Sequence, residues 1–353
     1  MKIKNKNNEV RLGVIGCGYW GPNLIRNYNQ LPNCNVSICC DLDKKRLERM
    51  KILYPQILTT NKLSQLMGNP EIDAVGIATP VFTHYDLAKE ALLHDKHVFV
   101  EKPLCHSSEA CLDLIRLAEQ KRKVLMVGHT FEYTAGVNKI KEIVNSGELG
   151  EILYISSVRL NLGLFQPDIN VIWDLAPHDI SIITYVLGEH PISVNAQGKG
   201  HYRKDIEDVA TVTLNFRNDA IAFVHSSWLD PNKVRRTTIV GSKKMLVYND
   251  IEPQEKIKIY DKGVDAPRYY DTFGEFPFSY RYGDIYSPRI EDYEPLRIEC
   301  AHFLECIVKN QTPRSDGYSG LKVVSVLEAA TESLKRNGKA VPVKYGKFLK
   351  NAA

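Results

Sequence analysis

Short apolar runs alternate with amphipathic stretches in the first third of the chain. The runs are rich in strand-forming residues, and a helical pattern of apolar positions follows most of them. The predicted strands are Arg11–Ile15, Val36–Cys40, a short one near Ile57–Leu58, Ile72–Ala78, Val98–Val100 and Val124–Gly128. Strands that alternate with helices favour a parallel sheet covered by helices on both faces. We therefore predict an α/β fold whose N-terminal domain, residues 1–128, is a doubly wound parallel sheet.

The pattern changes after Gly128, where longer stretches with alternating polarity begin. These predict strands over Ile152–Leu160, Ile192–Gly198, Asp208–Phe216, Ala220–Ser227, Arg235–Gly241 and Lys244–Tyr248. Helices are predicted over Thr134–Ser146, Pro177–Leu187, Glu294–Val308 and Gly320–Lys335. Asp261–Pro295 has no clear period and predicts a long ordered loop. Residues 129–353 should thus form an α+β domain with a mixed or antiparallel sheet.

A glycine-rich motif joins the first predicted strand to the first helix. Gly16, Gly18 and Gly21 form a G-x-G-x-x-G sequence, and Pro22 opens the helix. Such a turn brings backbone N–H groups and the positive end of the helix dipole to a pyrophosphate. The sequence therefore predicts a dinucleotide site in a Rossmann domain.

An acidic residue at the end of the second strand predicts which dinucleotide binds. Asp41 follows Cys40, twenty residues after Gly21. An acid in this place accepts hydrogen bonds from the adenosine ribose and repels a 2′-phosphate. Leu42 and Asp43 come next rather than an arginine. NAD is accordingly favoured over NADP.

Composition and charge narrow the function classes. The 353 residues are 44% hydrophobic and 25% charged, with a mean hydropathy of −0.26 and a net charge of only +4. This balance does not favour a nucleic-acid or membrane partner, and no stretch approaches the ~20 apolar residues of a membrane span. The eight cysteines contain no Cys-x-x-Cys pair, which favours buried reduced thiols over disulfides or a metal site. We expect a cytoplasmic protein that holds no metal.

The sequence Glu101-Lys102-Pro103 ends the fifth predicted strand. Pro103 cannot continue a β ladder, so the strand stops and Lys102 lies at its carboxyl end. That edge of a parallel sheet is where open α/β proteins bind ligands. Lys102 is therefore a candidate catalytic and substrate-binding residue. The alternative is an ordinary solvated lysine.

Thr79, Pro80 and His84 are further candidates at the same edge. Thr79 and Pro80 end the fourth predicted strand, where they could line the nicotinamide ribose. His84 begins the next helix. It is interpreted either as a cofactor contact or as a packing residue.

The pair Asp174 and His178 carries the strongest chemical signal in the second half. The two residues are four positions apart at the predicted start of a helix, so they project to one side. A histidine can accept the proton of an alcohol while hydride leaves the same carbon. The alternative is that Asp174 caps the helix and His178 packs.

These motifs together resemble the Gfo/Idh/MocA oxidoreductase family. The resemblance rests on the G-x-G-x-x-G turn, Glu101-Lys102-Pro103 and Asp174-x-x-x-His178-Asp179, and it covers nearly the whole chain. It implies an open-faced C-terminal sheet, a homodimer or homotetramer, and hydride transfer at a sugar or cyclitol carbinol. It assigns catalysis to Lys102, Asp174 and His178, and it adds Tyr19, Trp20, Glu101 and Lys102 to the cofactor contacts. Leu175-Ala176-Pro177 departs from the glycine-containing run of inositol-dehydrogenase-like members.

Local stretches are similar to the sugar-nucleotide branch of that family. They are Gly18–Asn23, Gly128–Phe131, Trp173–Asp179 and Glu294–Arg297. This likeness implies oxidation at C3 of a nucleotide sugar, above all UDP-N-acetylglucosamine, for surface polysaccharide or lipid A synthesis with a partner aminotransferase. The implied substrate contacts are Lys102, His129, Phe131, Asp174, His178, Lys233 and Arg235. Lys233 and Arg235 would meet the diphosphate, or they simply belong to a charged edge strand.

Several alternatives remain open at the level of the sequence. The same scaffold would serve a 3-ketoreductase of a deoxy-keto sugar nucleotide, although Asp41 disfavours the NADPH that reductive synthesis usually uses. A non-enzymatic nicotinamide sensor is a second alternative, which the intact Lys102, Asp174 and His178 set disfavours. Either His178 or Lys102 could be the proton acceptor.

Overall fold

The computed structural model describes residues 9–265 and 279–346, and within them the chain forms two compact units. The first unit contains the described residues up to Tyr133, Glu294–Ser325 and the described residues from Tyr345. The second contains the described part of Thr134–Tyr293 together with Val326–Lys344. The predicted boundary at residue 128 treats each domain as one continuous stretch, whereas the chain returns to the first unit at Glu294. The sequence gives no composition change that marks this return.

A six-stranded parallel sheet forms the centre of the first unit. Its strands are β1 (Val10–Ile15), β2 (Cys34–Cys40), β3 (Leu58–Thr60), β4 (Ala74–Ile77), β5 (His97–Glu101) and β6 (Leu125–Gly128). They lie in the order β3-β2-β1-β4-β5-β6, and every neighbouring pair is parallel. The order reverses between β1 and β4, which is where a doubly wound sheet opens a crevice for a ligand. The predicted Rossmann domain is confirmed.

Helices follow each of the first five strands. They are α1 (Gly21–Asn29), α2 (Lys44–Leu53), α3 (Leu63–Met67), α4 (His84–Leu93) and α5 (Ser108–Lys121). Short 3-10 turns at Val81–Thr83 and Thr130–Tyr133 follow β4 and β6. Asp43 and Ser107 cap α2 and α5 by accepting hydrogen bonds from backbone N–H groups, so both helices begin where a side-chain oxygen satisfies the first turn.

The second unit is built on a nine-stranded mixed sheet. Its first strand, β7 (Ile152–Leu160), is preceded by helix α6 (Ala135–Asn145) and followed by helix α7 (Val171–Leu187). The next strands are β8 (Ser193–Lys199), β9 (Val209–Asn215), β10 (Ile221–Ser227), β11 (Val234–Gly241), β12 (Met245–Asn249), β13 (Ile257–Asp265) and β14 (Ser279–Tyr286). The chain then forms α8 (Pro295–Lys309), α9 (Gly317–Lys335) and the short β15 (Val341–Pro342). The strand order is β14-β13-β12-β11-β7-β10-β9-β8-β15, and only β7 and β10 pair in parallel. The predicted α+β class is confirmed.

Two sequence predictions for this half are wrong in their bounds. The helix expected over Pro177–Leu187 begins at Val171, because Asn170 accepts a hydrogen bond from the Trp173 N–H (3.1 Å) and caps it. Pro177, which the sequence prediction places at the start, lies within the helix. The loop expected over Asp261–Pro295 contains strand β14 and the end of β13; its centre, residues 266–278, lies outside the described residues.

Helix α8 contributes to the core of the first unit. Phe303 packs against Tyr28 of α1 and Phe99 of β5, with ring centroids 6.3 and 5.8 Å apart. Arg26 of α1 donates from a guanidinium nitrogen to Glu294, just before α8 (2.9 Å). Helix α8 is therefore part of the same hydrophobic core as β1 and β5.

All eight cysteines lie in the described residues, and they are buried and form no disulfide. Among the helices that the structure describes, none is both long enough and apolar enough to cross a membrane.

Candidate active site

The glycine-rich turn has the shape that a bound pyrophosphate requires. Gly16 has a φ of +91°, and a Cβ there would lie 2.5 Å from the Ala78 carbonyl oxygen. A Cβ on Gly21 would lie 1.9 Å from the Gly16 carbonyl oxygen. Around Gly18, by contrast, the nearest neighbour of a Cβ would be an Arg46 guanidinium nitrogen at 3.5 Å. The turn is thus closed toward the sheet and open on the side of Gly18, which fits a dinucleotide phosphate.

The Asp41 carboxylate is fixed at the end of β2. One oxygen accepts a hydrogen bond from the Cys17 N–H inside the glycine-rich turn (2.6 Å). The other accepts from the Asp43 N–H (2.8 Å). These bonds orient the carboxylate beside the turn, in the place where a ribose diol is bound in such folds. Asp41 and the three glycines are therefore brought together as predicted.

Arg46 belongs to this site, although the sequence indicates only a solvated helix face for residues 44–46. An Arg46 guanidinium nitrogen lies 3.6 Å from the Asp41 carboxylate and another lies 3.6 Å from Asp43. The residue stands on the first turn of α2, so the helix that follows Asp41 carries it back over Gly18. The available signal is the spacing of three residues between Asp43, which caps α2, and Arg46, because residues three apart lie on one face of a helix.

His84 holds two strand ends together. Its ring nitrogens lie 2.8 Å from the Thr79 carbonyl oxygen and 2.9 Å from the Pro103 carbonyl oxygen. The residue is only 1% exposed, and burial lowers the pKa of its imidazole. These contacts favour the packing interpretation over a direct cofactor contact. Thr79 is half-buried and Pro80 is exposed at the end of β4.

Glu101 and Lys102 end β5 in different environments. Lys102 is half-buried and is joined to Pro103 by a cis peptide bond. The Glu101 carboxyl is buried against Gly128, where a Cβ would lie 3.1 Å from its oxygen. Burial raises the pKa of Glu101 to about 7, and the positive charge of Lys102 opposes that rise. Glu101 is therefore placed beneath the strand end, next to the lysine.

The segment after β6 continues this buried polar region. His129 is 1% exposed, and neither ring nitrogen has a hydrogen-bond partner among the residues that the structure describes. Burial, with the charge of Lys102, lowers the pKa of His129 to about 3, so its ring is neutral. Phe131 is half-buried. The substrate contact predicted for His129 would require its ring to become accessible.

Glu299 of α8 is a buried acid that the sequence did not single out. Its carboxylate accepts a hydrogen bond from the Thr130 hydroxyl (2.7 Å). Burial raises the pKa of Glu299 well above its ordinary value, and the nearby Glu101 adds to the rise. Two acids with raised pKa values thus lie behind the carboxyl end of β5. No local pattern marks such a residue, because α8 is distant from β5 along the chain.

Asp174 and His178 lie on consecutive turns of α7, within the second unit. Their spacing of four residues places both on one face of the helix, as predicted. One Asp174 oxygen accepts a hydrogen bond from the indole N–H of Trp228 (2.9 Å), a residue that is 1% exposed. Asp174 does not cap the helix, since Asn170 does so. Trp228 therefore orients the carboxylate.

A buried ion pair anchors the same helix to the sheet. Arg159 of β7 donates from two guanidinium nitrogens to both oxygens of Asp179, at 2.7 and 3.1 Å. The Ser157 hydroxyl donates to Asp179 as well (2.7 Å). We name this ion pair of Arg159 and Asp179 the clamp. Because Asp179 directly follows His178, the clamp fixes the turn of α7 that carries the histidine.

The two predicted diphosphate contacts differ in their surroundings. Lys233 is exposed just before β11. Arg235 is half-buried, and one guanidinium nitrogen lies 3.2 Å from the Asp250 carboxylate. The charge of Arg235 is therefore partly balanced within the protein, and Lys233 is the more accessible cation of the pair.

Comparison with known proteins gives the family. A model described as "Oxidoreductase family, NAD-binding Rossmann fold" matches residues 10–129, and the "GFO/IDH/MocA C-terminal domain" matches residues 137–247. The chain belongs to the Gfo/Idh/MocA family. As a member of the Gfo/Idh/MocA family it is an oxidoreductase that uses NAD, which the fit of the turn and Asp41 supports.

Relatives of this Gfo/Idh/MocA protein carry different functions. An uncharacterised oxidoreductase, YrbE of Bacillus subtilis, is 26% identical over 92% of this chain and 94% of its own length. Myo-inositol 2-dehydrogenase of Thermotoga maritima is 25% identical over 92% and 96% of the two chains. UDP-N-acetylglucosamine 3-dehydrogenase of Acidithiobacillus ferrooxidans is 26% identical over 90% and 95%. The solved structure of that last enzyme has a TM-score of 0.77 over 93% of this chain and 98% of its own, at 23% identity, which shows the shared fold.

Proposed function

We propose that this oxidoreductase removes hydride from C3 of a nucleotide sugar, with UDP-N-acetylglucosamine as the substrate, and produces the 3-keto sugar for later transamination. The observation that carries the proposal is the Asp174 and His178 pair on one face of α7, with Asp174 oriented by Trp228. Similarity to UDP-N-acetylglucosamine 3-dehydrogenase along nearly the whole chain supports the choice of substrate.

In the proposed reaction, side chains of the protein accept one proton and stabilise one developing negative charge. His178 takes the proton of the C3 hydroxyl, and Asp174 orients the imidazole or the substrate hydroxyl. Lys102 stabilises the negative charge that develops on the oxygen as the carbonyl forms. When bound, NAD⁺ supplies the acceptor for the hydride that leaves C3. The products are then a ketone, the reduced cofactor and a proton on His178.

Lys233 is assigned to the diphosphate of the substrate. It is exposed at the start of β11, and an ammonium is a common partner of phosphate oxygens. Arg235 is assigned a weaker contact with the diphosphate, because its guanidinium already contacts the Asp250 carboxylate. A homodimer or homotetramer and a downstream aminotransferase complete the proposal. Light scattering on the purified protein measures the first, and the coupled assay described next probes the second.

A panel assay tests the proposal. The protein is incubated with NAD⁺ and UDP-N-acetylglucosamine, UDP-N-acetylgalactosamine, UDP-glucose, free N-acetylglucosamine or myo-inositol, and absorbance of the reduced cofactor is followed. An aminotransferase with an amino donor removes the ketone, so that an unfavourable equilibrium does not hide the reaction. We expect turnover with UDP-N-acetylglucosamine that is lost in Lys102→Ala and His178→Asn, while both variants still bind NAD⁺.

Two other results would redirect the assignment. Oxidation of myo-inositol or the free sugar without oxidation of any UDP-sugar would contradict the nucleotide-sugar proposal. Cofactor binding without turnover of any compound, in either direction, would favour the sensor alternative.

A further inference from the structure

Three strand ends meet beside Asp174 in the second unit. In the sheet register, Leu160 of β7 pairs with Ser227 of β10 on one side and with Val234 of β11 on the other. The residues just beyond these pairs are Asn161, Trp228 and Lys233. The segment that follows β7, the ring that holds Asp174 and an exposed cation therefore lie at one end of the sheet.

The segment 161–170 is held against Trp228. The Gly163 N–H donates to the Trp228 carbonyl oxygen (3.0 Å), and a Cβ on Gly163 would lie 2.9 Å from the indole ring. Farther along, Arg203 donates to the Pro167 carbonyl oxygen (2.9 Å). Any side chain at position 163 would collide with the indole, so the close approach depends on glycine.

This segment presents aromatic and aliphatic side chains to solvent. Phe165 packs on Trp228 and on Tyr202, with ring centroids 5.4 and 5.3 Å apart. Phe165 is 42% exposed and Tyr202 is 76% exposed. Leu162 and Leu164 are exposed beside them. We name Phe165, Tyr202 and Trp228 the aromatic rim.

The three rings of the rim form a series that begins at the candidate catalytic acid. Trp228 is buried and bonded to Asp174, Phe165 lies on Trp228, and Tyr202 lies farthest out. An exposed apolar surface that is joined through one buried ring to a candidate catalytic residue favours a ligand contact. Partly exposed planar rings suit a flat partner, and an exposed lysine at the same sheet end suits a phosphate.

We propose that the outer rings of the rim, Phe165 and Tyr202, hold the base of a nucleoside diphosphate sugar, with Lys233 at its diphosphate and the reacting sugar toward Asp174. This inference rests on the proposed function, because it names how the same substrate is held. Stacking of a base on an aromatic ring contributes about 1–3 kcal/mol, which corresponds to about 5- to 150-fold in affinity. The non-reacting end of the substrate would supply this binding.

Binding of UDP and of uridine, measured by calorimetry in the presence of NAD⁺, tests the rim without any turnover. We expect Phe165→Ala to weaken UDP binding by roughly tenfold or more. Phe165→Tyr keeps the ring and should restore most of the affinity. Lys233→Gln should weaken UDP binding but leave uridine binding unchanged, because uridine has no phosphate.

A matched control distinguishes the effect of the rim on UDP affinity from the effect of losing any exposed aromatic side chain. Phe223 is 43% exposed and pairs with Tyr154 at 6.4 Å on the face of β10, away from the rim. Phe223→Ala removes the same atoms at the same exposure, so UDP affinity should not change. Thermal melting of each variant shows whether the fold is kept.

Turnover distinguishes the failure of this inference from failure of the proposed function. With a UDP-sugar that is oxidised, Phe165→Ala should raise KM by roughly tenfold and leave kcat within about twofold, since the contact is equal in ground and transition states. Oxidation of UDP-sugars with equal KM in wild type and Phe165→Ala would overturn the rim and leave the proposed function intact. UDP binding that depends on Phe165, without oxidation of a UDP-sugar, would support the rim and contradict the proposed function. Wild-type protein that binds neither UDP nor uridine would overturn the rim.

Discussion

The buried pair of Arg159 and Asp179 gives the sharpest stability prediction. Both side chains are almost fully buried, at 6% and 3% exposure, and two guanidinium nitrogens contact the carboxylate at 2.7 and 3.1 Å. Arg159→Met leaves the Asp179 charge buried, with the Ser157 hydroxyl as its side-chain partner within residues 9–265 and 279–346. Removing one partner of a buried ion pair costs about 3–5 kcal/mol. We expect this loss in the free energy of unfolding of the second unit.

A double-mutant cycle identifies the origin of that loss. Arg159→Met and Asp179→Leu should each destabilise strongly, whereas the double variant leaves no uncompensated charge and should be more stable than the sum of the single changes predicts. Urea unfolding followed by tryptophan fluorescence is suitable, because Trp173 and Trp228 both belong to the second unit. The exposed pair of Lys258 and Glu255, also 2.7 Å apart, supplies the control: Lys258→Met should change stability little.

Catalysis should respond to the same clamp. Asp179 follows His178 on α7, so loss of the clamp loosens the turn that carries the candidate base. In Arg159→Met we expect kcat to fall while NAD⁺ affinity is unchanged, since Asp41 and the glycine-rich turn are in the first unit. Additive single changes, each costing less than about 1 kcal/mol, would refute the reasoning.

Three further predictions concern the first unit. Asp41→Asn should weaken NAD⁺ binding by roughly tenfold or more, because a charged acceptor is lost. It should also raise the relative affinity for NADP⁺, because Arg46 no longer faces a carboxylate. Titration with both cofactors checks this prediction, and an unchanged ratio of the NAD⁺ and NADP⁺ affinities would contradict it. Gly21→Ala should weaken NAD⁺ binding roughly tenfold or more, since its Cβ would lie 1.9 Å from the Gly16 carbonyl oxygen, whereas Gly76→Ala, with its nearest contacts at 3.9 Å, should be tolerated. In the folded protein the pKa of Glu101 is raised from 4.5 to about 7. Below pH 4.5 the carboxyl is therefore protonated in both the folded and the unfolded chain, and between pH 4.5 and 7 only the unfolded chain loses the proton. Stability should thus fall as pH rises through that window, by an amount on the order of 3 kcal/mol, and Glu101→Gln should remove this part of the fall; identical melting profiles of both proteins between pH 4.5 and 8 would rule it out.

Local patterns predicted most of the first unit because each βα step has its own signal there. The predicted strands Arg11–Ile15 and Val124–Gly128 match β1 and β6 to within one residue. The glycines of the turn and Asp41 were also predictable, since their geometry depends on residues that are close along the chain. The family and its cofactor followed from the same motifs.

Features that depend on distant contacts were not predictable. Glu299 becomes part of the buried polar region only because α8 packs in the first unit. The start of α7 was misplaced because Pro177 is a stronger local signal than Asn170, although Asn170 makes the capping hydrogen bond. The strands β13 and β14 pair with each other and show no clean alternation, as most of β14 is exposed on both faces.

The central claim is that hydride leaves C3 of a UDP-sugar under the control of Lys102 and His178. The most direct measurement uses UDP-N-acetylglucosamine with deuterium at C3, followed by mass spectrometry of the reduced cofactor. We predict one deuterium in the reduced cofactor formed by the wild-type protein and no reduced cofactor from Lys102→Ala or His178→Asn. Reduced cofactor without deuterium, or labelled cofactor formed equally well by both variants, would contradict the account.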